Sequence, residues 1–513
     1  MKLRRLLPDS LIAFLAVLVT AIYAAAGQGG FPLDDSWIHQ TYARNLAETG
    51  VWSFVPGVPS AASTSPLYTV LLATGYLLGV PFLIWTHALG AAALASAGII
   101  GRRLASAAFP AYKGIGLACG LAIVLSWHLV WAAASGMETA VFSALTMATI
   151  ALAWASGSRE VADETRRLIG LGIAFGAVGG LMTLARPEGA LLLGISGLCI
   201  AASWRADRFA RLVVFAGVAL VSCALVLAPY LSFNLAQTGG LLPDTAAAKQ
   251  AYAQPIRALG LWWGFQQMTL PLVAGGQLLL IPGYVVLVSF VARGLAGNRQ
   301  MVRLLPALLW GPALVLLYAW WLPLNFQHGR YVIPALPAFI WCGAAGMVML
   351  VVQARRQLLP RLFSRVLALS AALVFVLMLF TLGLSAYALD VRVIEDEMVA
   401  PAQWIAANVP PEDLLAVHDI GAVGYFAPRP IVDIAGLVTP EIVPLIGDAD
   451  AMWAFIEAQG AQYLMALPDQ LPGEATRDSR LCLIYQSEGN AAAVAGGEKM
   501  SVYRISWDAD CPP

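Results

Sequence analysis

Long apolar segments recur along most of the chain, and short polar stretches separate them. A membrane-spanning helix needs roughly 20 mostly apolar residues, and segments close to that length predict eleven spans. They lie near residues 11–27, 82–101, 114–132, 140–156, 168–185, 190–203, 212–230, 272–292, 304–321, 331–352 and 366–388. The segment 190–203 is the shortest of them. The pattern therefore predicts a polytopic α-helical membrane protein with about eleven transmembrane helices.

The apolar run 66–80 is ambiguous, because it is short and Gly79, Val80 and Pro81 end it. Cytoplasmic loops carry an excess of Lys and Arg, so orientation decides its interpretation. With a cytoplasmic N terminus and with 66–80 lying at the interface, 19 of the 24 basic residues in 1–388 fall in inner loops. We therefore expect a first outer loop, 28–81, with interfacial helices. The first span resembles a signal peptide, but we expect an uncleaved anchor.

Composition supports this picture and divides the chain in two. The hydrophobic fraction is 59% and the charged fraction only 12%, which excludes an ordinary soluble protein of this length. Residues 1–388 carry 24 basic and 11 acidic side chains, whereas 389–513 carry 6 basic and 19 acidic ones. We predict a transmembrane domain, 1–388, and a soluble domain, 389–513, on the extracytoplasmic side.

The soluble domain alternates two kinds of segment, which predicts a small α/β domain. Helix-like stretches occupy 401–408 and 451–459, and strand-like ones 414–417, 429–434, 463–467, 481–485 and 501–505. The domain also holds Cys482 and Cys511. These two could form a disulfide outside the cytoplasm, whereas the other four cysteines sit in apolar segments and are interpreted as small buried residues.

Few acidic residues belong to the membrane part, and six of them fall on its outer face. These are Asp34, Asp35, Glu48, Glu138, Glu188 and Asp244. Ionisable groups at membrane depth are costly and usually serve a function. The alternative is that Asp35, Glu138 and Glu188 stabilise the first turns of helices. For the Asp34–Asp35 pair we favour a function; for Glu188, with Arg186 as a neighbour, both interpretations stay open.

Basic side chains share that outer face: Lys249, Arg257, His328 and Arg330. Together they could bind an anionic headgroup, with Arg contacting phosphate oxygens in pairs and Lys acting as a point charge. Isolated basic residues can instead reach towards lipid phosphates, the interpretation we favour for Arg257. His328 could be a phosphate donor, a metal ligand or an interfacial residue.

Nine short motifs together resemble the GT-C superfamily of glycosyltransferases, in particular a bacterial branch that includes the mycobacterial terminal arabinofuranosyltransferase. They are the aspartate pair with the helix after it (34–47), Phe54–Gly57, Ser63–Leu67, Ser135–Thr139, Arg186–Gly189, Leu242–Thr245, Gly329–Tyr331, His418–Ala422 and Asp433–Leu437. One departure is that relatives often have Arg-Tyr where this chain has Thr41-Tyr42. The departure leaves Arg44 as the only cation of that helix.

The resemblance implies a membrane glycosyltransferase of the bacterial inner membrane. Such enzymes transfer a hexose or pentose from a polyprenyl-phosphate donor to an extracytoplasmic glycan, lipid or protein. A first-loop aspartate, here Asp34 or Asp35 with Asp34 favoured, would be the general base of a single displacement. The implied binding residues are Tyr42, Arg44, Glu138, Arg186, Glu188, Lys249, His328, Arg330 and Tyr331.

The residues fit this chemistry on their own terms. A sugar phosphate already has a good leaving group, so one carboxylate to take a proton and cations to stabilise phosphate suffice. No cofactor is certain, although Asp35, Glu138 and His328 could gather a divalent cation.

The rival interpretation is a lipid or glycan transporter or flippase, which would usually show internal repeats or broken helices; the sequence shows no convincing repeat. Nothing indicates nucleic acid or a nucleotide, because no phosphate-cradling glycine loop occurs in a βαβ setting.

Overall fold

The computed structural model describes residues 2–60, 62–158, 164–240, 245–355, 357–474, 478–507 and 511. Within these ranges, nine helices are long and apolar enough to cross a membrane. They are Leu7–Ala26, Phe82–Ala108, Thr139–Ser156, Thr165–Ala185, Ala206–Gln237, Gln277–Leu295, Arg299–Trp321, Gln327–Gln353 and Leu358–Asn408. The chain is a multi-pass membrane protein, as predicted.

Two of the eleven predicted spans differ from simple membrane-crossing helices. The segment predicted at 114–132 is a pair of helices, Ile115–Val124 and Trp127–Ala134, bent by 53°. Ser126 adopts an extended backbone (φ −77°, ψ 118°), which interrupts the helical hydrogen bonds there. The segment predicted at 190–203 forms Gly189–Ser203, whose 15 residues rise only about 22 Å, less than the roughly 30 Å hydrocarbon layer.

The first outer loop contains two helices that do not span. Asp34–Thr49, which we call the aspartate helix, is mostly buried and ends at Gly50 in the left-handed conformation (φ 70°), where a residue without Cβ is favoured. Pro66–Leu77 has 12 residues, too few to cross a bilayer. Further along, Thr245–Arg257, which we call the lysine helix, precedes a shorter apolar helix at Leu261–Val273.

The last helix, Leu358–Asn408, runs without interruption from the membrane part into the C-terminal part. It contains two wider π-helical turns, Leu379–Gly383 and Glu395–Val399. The boundary that composition suggests at residue 388 therefore falls inside a continuous helix.

The C-terminal part is a small α/β domain, as predicted. Its strands are β1 (Leu415–Val417), β2 (Ile431–Asp433), β3 (Tyr463–Ala466), β4 (Leu481–Gln486) and β5 (Ser501–Ile505), in the order β2-β1-β3-β5-β4. β1 pairs in parallel with β2 and β3, whereas β5 is antiparallel to β3 and β4.

Three helices accompany this sheet: Ile420–Phe426, Ala449–Gln459 and Ala491–Ala495. The sequence analysis did not predict Ile420–Phe426, which we call the domain helix. It connects the parallel strands β1 and β2, a connection that requires a crossover.

The domain packs directly against the first outer loop. One buried hydrophobic cluster includes Phe31, Trp37 and Phe54 of the loop together with Val417 and Val423 of the domain. Apolar burial is the main favourable contribution to such an association, so loop and domain share a core.

Cys482 and Cys511 form a disulfide with a sequence separation of 29 residues. We expect a maleimide reagent to label four of the six cysteines in the denatured, unreduced protein, and all six after reduction. In the chain-entropy account a loop of this length stabilises by about 3–4 kcal/mol, so Cys482→Ser should unfold at lower temperature. Mass spectrometry of the labelled peptides provides the measurement, and labelling of Cys482 and Cys511 before reduction would contradict the pairing.

Candidate active site

A cavity of about 350 Å³ lies among helix ends and connecting loops at one end of the membrane helices. Its charged lining residues are Asp35, Glu138, Arg186, Glu188, Lys249 and Arg330. Each comes from a different helix end or loop, apart from the neighbours Arg186 and Glu188. Residues that are far apart in the chain meet here because the helix ends and loops that carry them lie side by side.

Asp35 and Arg330 form the closest ion pair of the cavity. Arg330 Nη1 lies 2.7 Å from Asp35 Oδ2, and the two side chains are 11% and 33% exposed, respectively. Burial works against ionisation of Asp35, but the positive charges of Arg330 and Lys249 outweigh it and lower the pKa of Asp35 to about 2. Asp35 is therefore an ionised carboxylate that remains reachable from the cavity.

A second network surrounds Arg186 on the same cavity wall. Its Nη1 lies 3.4 Å from Glu138 Oε1, its Nη2 lies 3.2 Å from Glu188 Oε1, and Nη2 also donates to the Tyr318 hydroxyl at 2.9 Å. Glu138 Oε2 lies 3.3 Å from His39 Nε2. Burial opposes ionisation of Glu138, yet the hydrogen bond from His39 and the charge of Arg186 lower its pKa to about 2.

The aspartate helix contributes one residue to each of the two networks, and the helical repeat places both residues on the same side. Asp35 and His39 are four residues apart, so they lie on the same helix face. Asp35 contacts Arg330, and His39 contacts Glu138. One helix face therefore orients the two carboxylate clusters relative to each other.

The remaining cavity wall is mostly apolar. Its residues include Leu191, Leu317, Trp320, Trp321 and Leu322. Trp320 is 70% exposed on the outside of a membrane-spanning helix. The cavity thus joins a charged end to an apolar wall beside the bilayer, which suits a ligand with an anionic head and a hydrocarbon tail.

Four polar atoms of the cavity residues are buried without a hydrogen-bond partner among the described residues: Glu138 Oε2, Glu188 Oε2, Arg330 Nε and Arg330 Nη1. Glu138 Oε2 and Arg330 Nη1 lie in the ion pairs described above, which leaves Arg330 Nε and Glu188 Oε2. Buried polar groups in proteins are nearly always paired. These two offer one donor and one acceptor to a ligand.

Of the residues that the sequence analysis proposed, seven line this cavity: Asp35, Glu138, Arg186, Glu188, Lys249, Arg330 and Tyr331. Asp244 lies outside the described residues. Asp34, Tyr42, Arg44 and His328 are described but do not line the cavity.

Asp34 and Arg44 bind the domain helix. The Asp34 carboxylate accepts hydrogen bonds from the backbone N–H groups of Gly421 and Ala422, and Arg44 donates to the carbonyls of Gly424 and Tyr425. The structure therefore places the favoured aspartate, Asp34, against backbone, and the adjacent Asp35 in the cavity.

Tyr42 and His328 also have other partners. The Tyr42 hydroxyl is 2.7 Å from Ser60 Oγ and accepts from the backbone N–H of Ala62. His328 Nε2 is 2.8 Å from Asp390 Oδ2. Across the described ranges, no three His, Cys, Asp or Glu side chains gather in a way that could hold a metal ion, so Asp35, Glu138 and His328 are not brought together.

Several residues of the cavity, and His39 beside it, escaped the sequence analysis. His39 had a usable signal, because it follows Asp35 by four residues within one predicted helix. Tyr318 and the Trp320–Trp321 pair had none, since they lie in an apolar span whose sequence resembles any other.

Comparisons with solved structures identify the fold. The chain aligns with ArnT from Cupriavidus metallidurans bound to undecaprenyl phosphate at 14% identity and a TM-score of 0.61, covering 98% of this chain and 99% of that one. An Archaeoglobus fulgidus oligosaccharyltransferase in complex with Zn and sulfate aligns at 13% identity and a TM-score of 0.57, covering 89% and 68%. The arabinofuranosyltransferase AftD from Mycobacteria aligns at 14% and 0.51, covering 97% and 42%.

These three solved proteins are GT-C glycosyltransferases, and the chain has the GT-C fold. Residues 383–503 match the model of a domain of unknown function, DUF8728. No curated protein matches the sequence.

We expect Arg186→Met to lower stability strongly, because it leaves Glu138 and Glu188 buried without their cation. Loss of one partner from such a buried group costs about 3–5 kcal/mol. The matched control is Arg205→Met, which removes the exposed Arg205–Asp207 pair and should change little. Thermal unfolding in detergent compares the two; equal unfolding temperatures would contradict a structural role for the network.

Proposed function

We propose that this protein transfers a sugar from a polyprenyl-phosphate donor to an acceptor outside the cytoplasm. The observation that carries the proposal is the Asp35–Arg330 pair in the cavity. There a reachable carboxylate, two cations and an apolar wall lie together. The GT-C fold supports this chemistry but does not identify the residues that perform it.

In this proposal Arg330 and Lys249 bind the donor phosphate. The guanidinium fork of Arg330 contacts phosphate oxygens in pairs, and the ammonium of Lys249 adds a point charge. The prenyl tail of the bound donor extends from the cavity along the wall of Leu317, Trp320 and Leu322 into the bilayer. The undecaprenyl phosphate bound to ArnT supports a donor of this class.

Asp35 acts as the general base. It takes the proton of the acceptor hydroxyl while that oxygen forms a bond to the anomeric carbon. The bond between this carbon and the phosphate oxygen breaks, and the phosphate leaves with the electron pair, stabilised by Arg330 and Lys249. A single displacement of this kind inverts the anomeric centre. We assign the role to Asp35 because both oxygens of Asp34 already accept backbone hydrogen bonds.

Donor binding also strengthens this base. Arg330 and Lys249 hold the pKa of Asp35 at about 2, where a carboxylate is a poor proton acceptor. The donor phosphodiester carries one negative charge; placed between these cations it neutralises part of their charge, and the pKa of Asp35 then rises. Glu138, Arg186 and Glu188 remain to hold sugar hydroxyls by hydrogen bonds.

The direct test is sugar transfer by membranes that contain the protein, using a panel of labelled hexosyl and pentosyl polyprenyl phosphates. We expect Asp35→Asn to lower kcat by about 10²- to 10⁴-fold, the contribution typical of a general base. Glu48→Gln, an exposed change in the same helix, serves as the control and should transfer normally. Unimpaired transfer by Asp35→Asn would exclude the assigned base, and donor movement across the membrane without any transfer would favour a flippase.

The pH dependence of kcat/KM gives a second test, because it reports ionisations of the free enzyme. Lys249 lowers the pKa of Asp35, so Lys249→Met should raise that pKa and move the acidic limb of the profile to higher pH. Arg257→Met, at the end of the same helix and away from the cavity, should leave the limb in place. A limb that stays fixed in Lys249→Met would mean that Lys249 does not act on the base.

A further inference from the structure

The C-terminal domain contacts the start of the aspartate helix directly. The backbone N–H of Gly421 donates to Asp34 Oδ2 at 2.7 Å, and that of Ala422 donates to Oδ1 at 2.8 Å. Both carboxylate oxygens are therefore engaged by one turn of the domain helix. Burial and the negative charge of Asp419 raise the pKa of Asp34 to about 7, and these two hydrogen bonds oppose that rise.

Gly421 makes this approach possible because it has no side chain. A Cβ at this position would collide with the backbone carbonyl oxygen and the carboxylate of Asp34. Gly424, one turn further, faces the ring of Phe54 in the same way. The glycines let the domain helix lie directly on the first outer loop.

The far end of the aspartate helix is held by the same domain helix. Arg44 donates to the carbonyl of Tyr425 at 2.8 Å and stacks over its ring. Trp37 packs against the rings of Tyr425 and Phe426 at centroid distances of 5.0 and 4.7 Å. Trp37 and Arg44 are seven residues apart and so share one face of the helix.

These contacts fix both the rotation and the axial position of the aspartate helix. Asp34 faces the domain helix, and Asp35, one residue on, points about 100° away, towards Arg330. A misplacement of about 1 Å in a reacting group can cost about 10²-fold in rate. The contact between Asp34 and the domain helix therefore determines the position of Asp35 in the cavity.

We propose that the soluble domain is a positioning element of the active site: through Gly421 and Ala422 it fixes Asp34, and Asp34 is a positioning residue for the general base Asp35. The inference rests on the proposed function for its catalytic part. It gives a role in this chain to the segment that matches a domain of unknown function.

The experiment changes the contact from both sides, with Asp34→Asn in the loop and Gly421→Ala in the domain. Each should lower kcat about 10- to 100-fold with donor KM changed less than about threefold, because Arg330 and Lys249 are untouched. The double variant should be no worse than the poorer single, since both remove one interaction. Gly194→Ala, where a Cβ meets open space, is the matched control.

Hydrogen–deuterium exchange gives a readout that needs no substrate. We expect backbone amides of residues 34–49 to exchange faster in Gly421→Ala than in wild type or in Gly194→Ala. If Gly421→Ala does not accumulate as a folded protein, Arg44→Lys loosens the other end of the same contact and takes its place.

Three results would overturn the positioning role. One is unchanged exchange and unchanged kcat in the variants. Another is a raised donor KM with normal kcat, which would place the domain in donor binding. The third is an Asp34→Asn variant as inactive as Asp35→Asn beside a fully active Gly421→Ala, which would make Asp34 a chemical group. If the proposed function itself is wrong, the wild-type protein will transfer no sugar. The hydrogen–deuterium exchange measurement would then still test whether the domain holds the aspartate helix.

Discussion

A carboxylate removed from water needs a partner, and the face of this protein that holds the cavity is organised by that requirement. Asp35, Glu138 and Glu188 each meet a guanidinium, and Asp34 meets two backbone N–H groups instead. Uncompensated burial of a charge is expensive. The partners come from distant parts of the chain, so satisfying these charges also fixes how the membrane helices, the loop and the soluble domain fit together.

The difference between the two neighbouring aspartates follows from what satisfies each one. Asp34 has both oxygens bound by backbone N–H groups that cannot move without displacing a helix. Asp35 is paired with one flexible side chain and stays one third exposed. The second arrangement can exchange its partner for a ligand, whereas the first cannot. Chemistry and attachment are thus divided between adjacent residues of one helix.

The positions of most membrane-spanning helices could be predicted from the sequence, because the length of an apolar segment is a local property of the chain. The charged residues of the cavity could also be named, since so few acids occur on the outer face. The partner of Asp34 could not. Gly421 lies 387 residues away and binds Asp34 through its backbone N–H, so the sequence shows a glycine at this position but not which residue it approaches.

The same limit explains the other discrepancies. The resemblance implied that Arg44 is a binding residue, whereas in the structure it donates to the backbone carbonyls of Gly424 and Tyr425. His328 pairs with Asp390, a residue counted with the soluble domain. The helix break at Ser126 results from a local extended backbone conformation. No proline lies there, so nothing in the sequence signalled the break.

The helix Leu358–Asn408 has a mechanical consequence. At 1.5 Å per residue, its 51 residues would extend about 75 Å, more than twice the hydrocarbon thickness. A helix that adjusts to a thicker or thinner bilayer does so by tilting, and this one carries the soluble domain at its far end. A change in lipid chain length would then change the tilt of this helix. The domain at its end would rotate with it and act on the aspartate helix that it contacts.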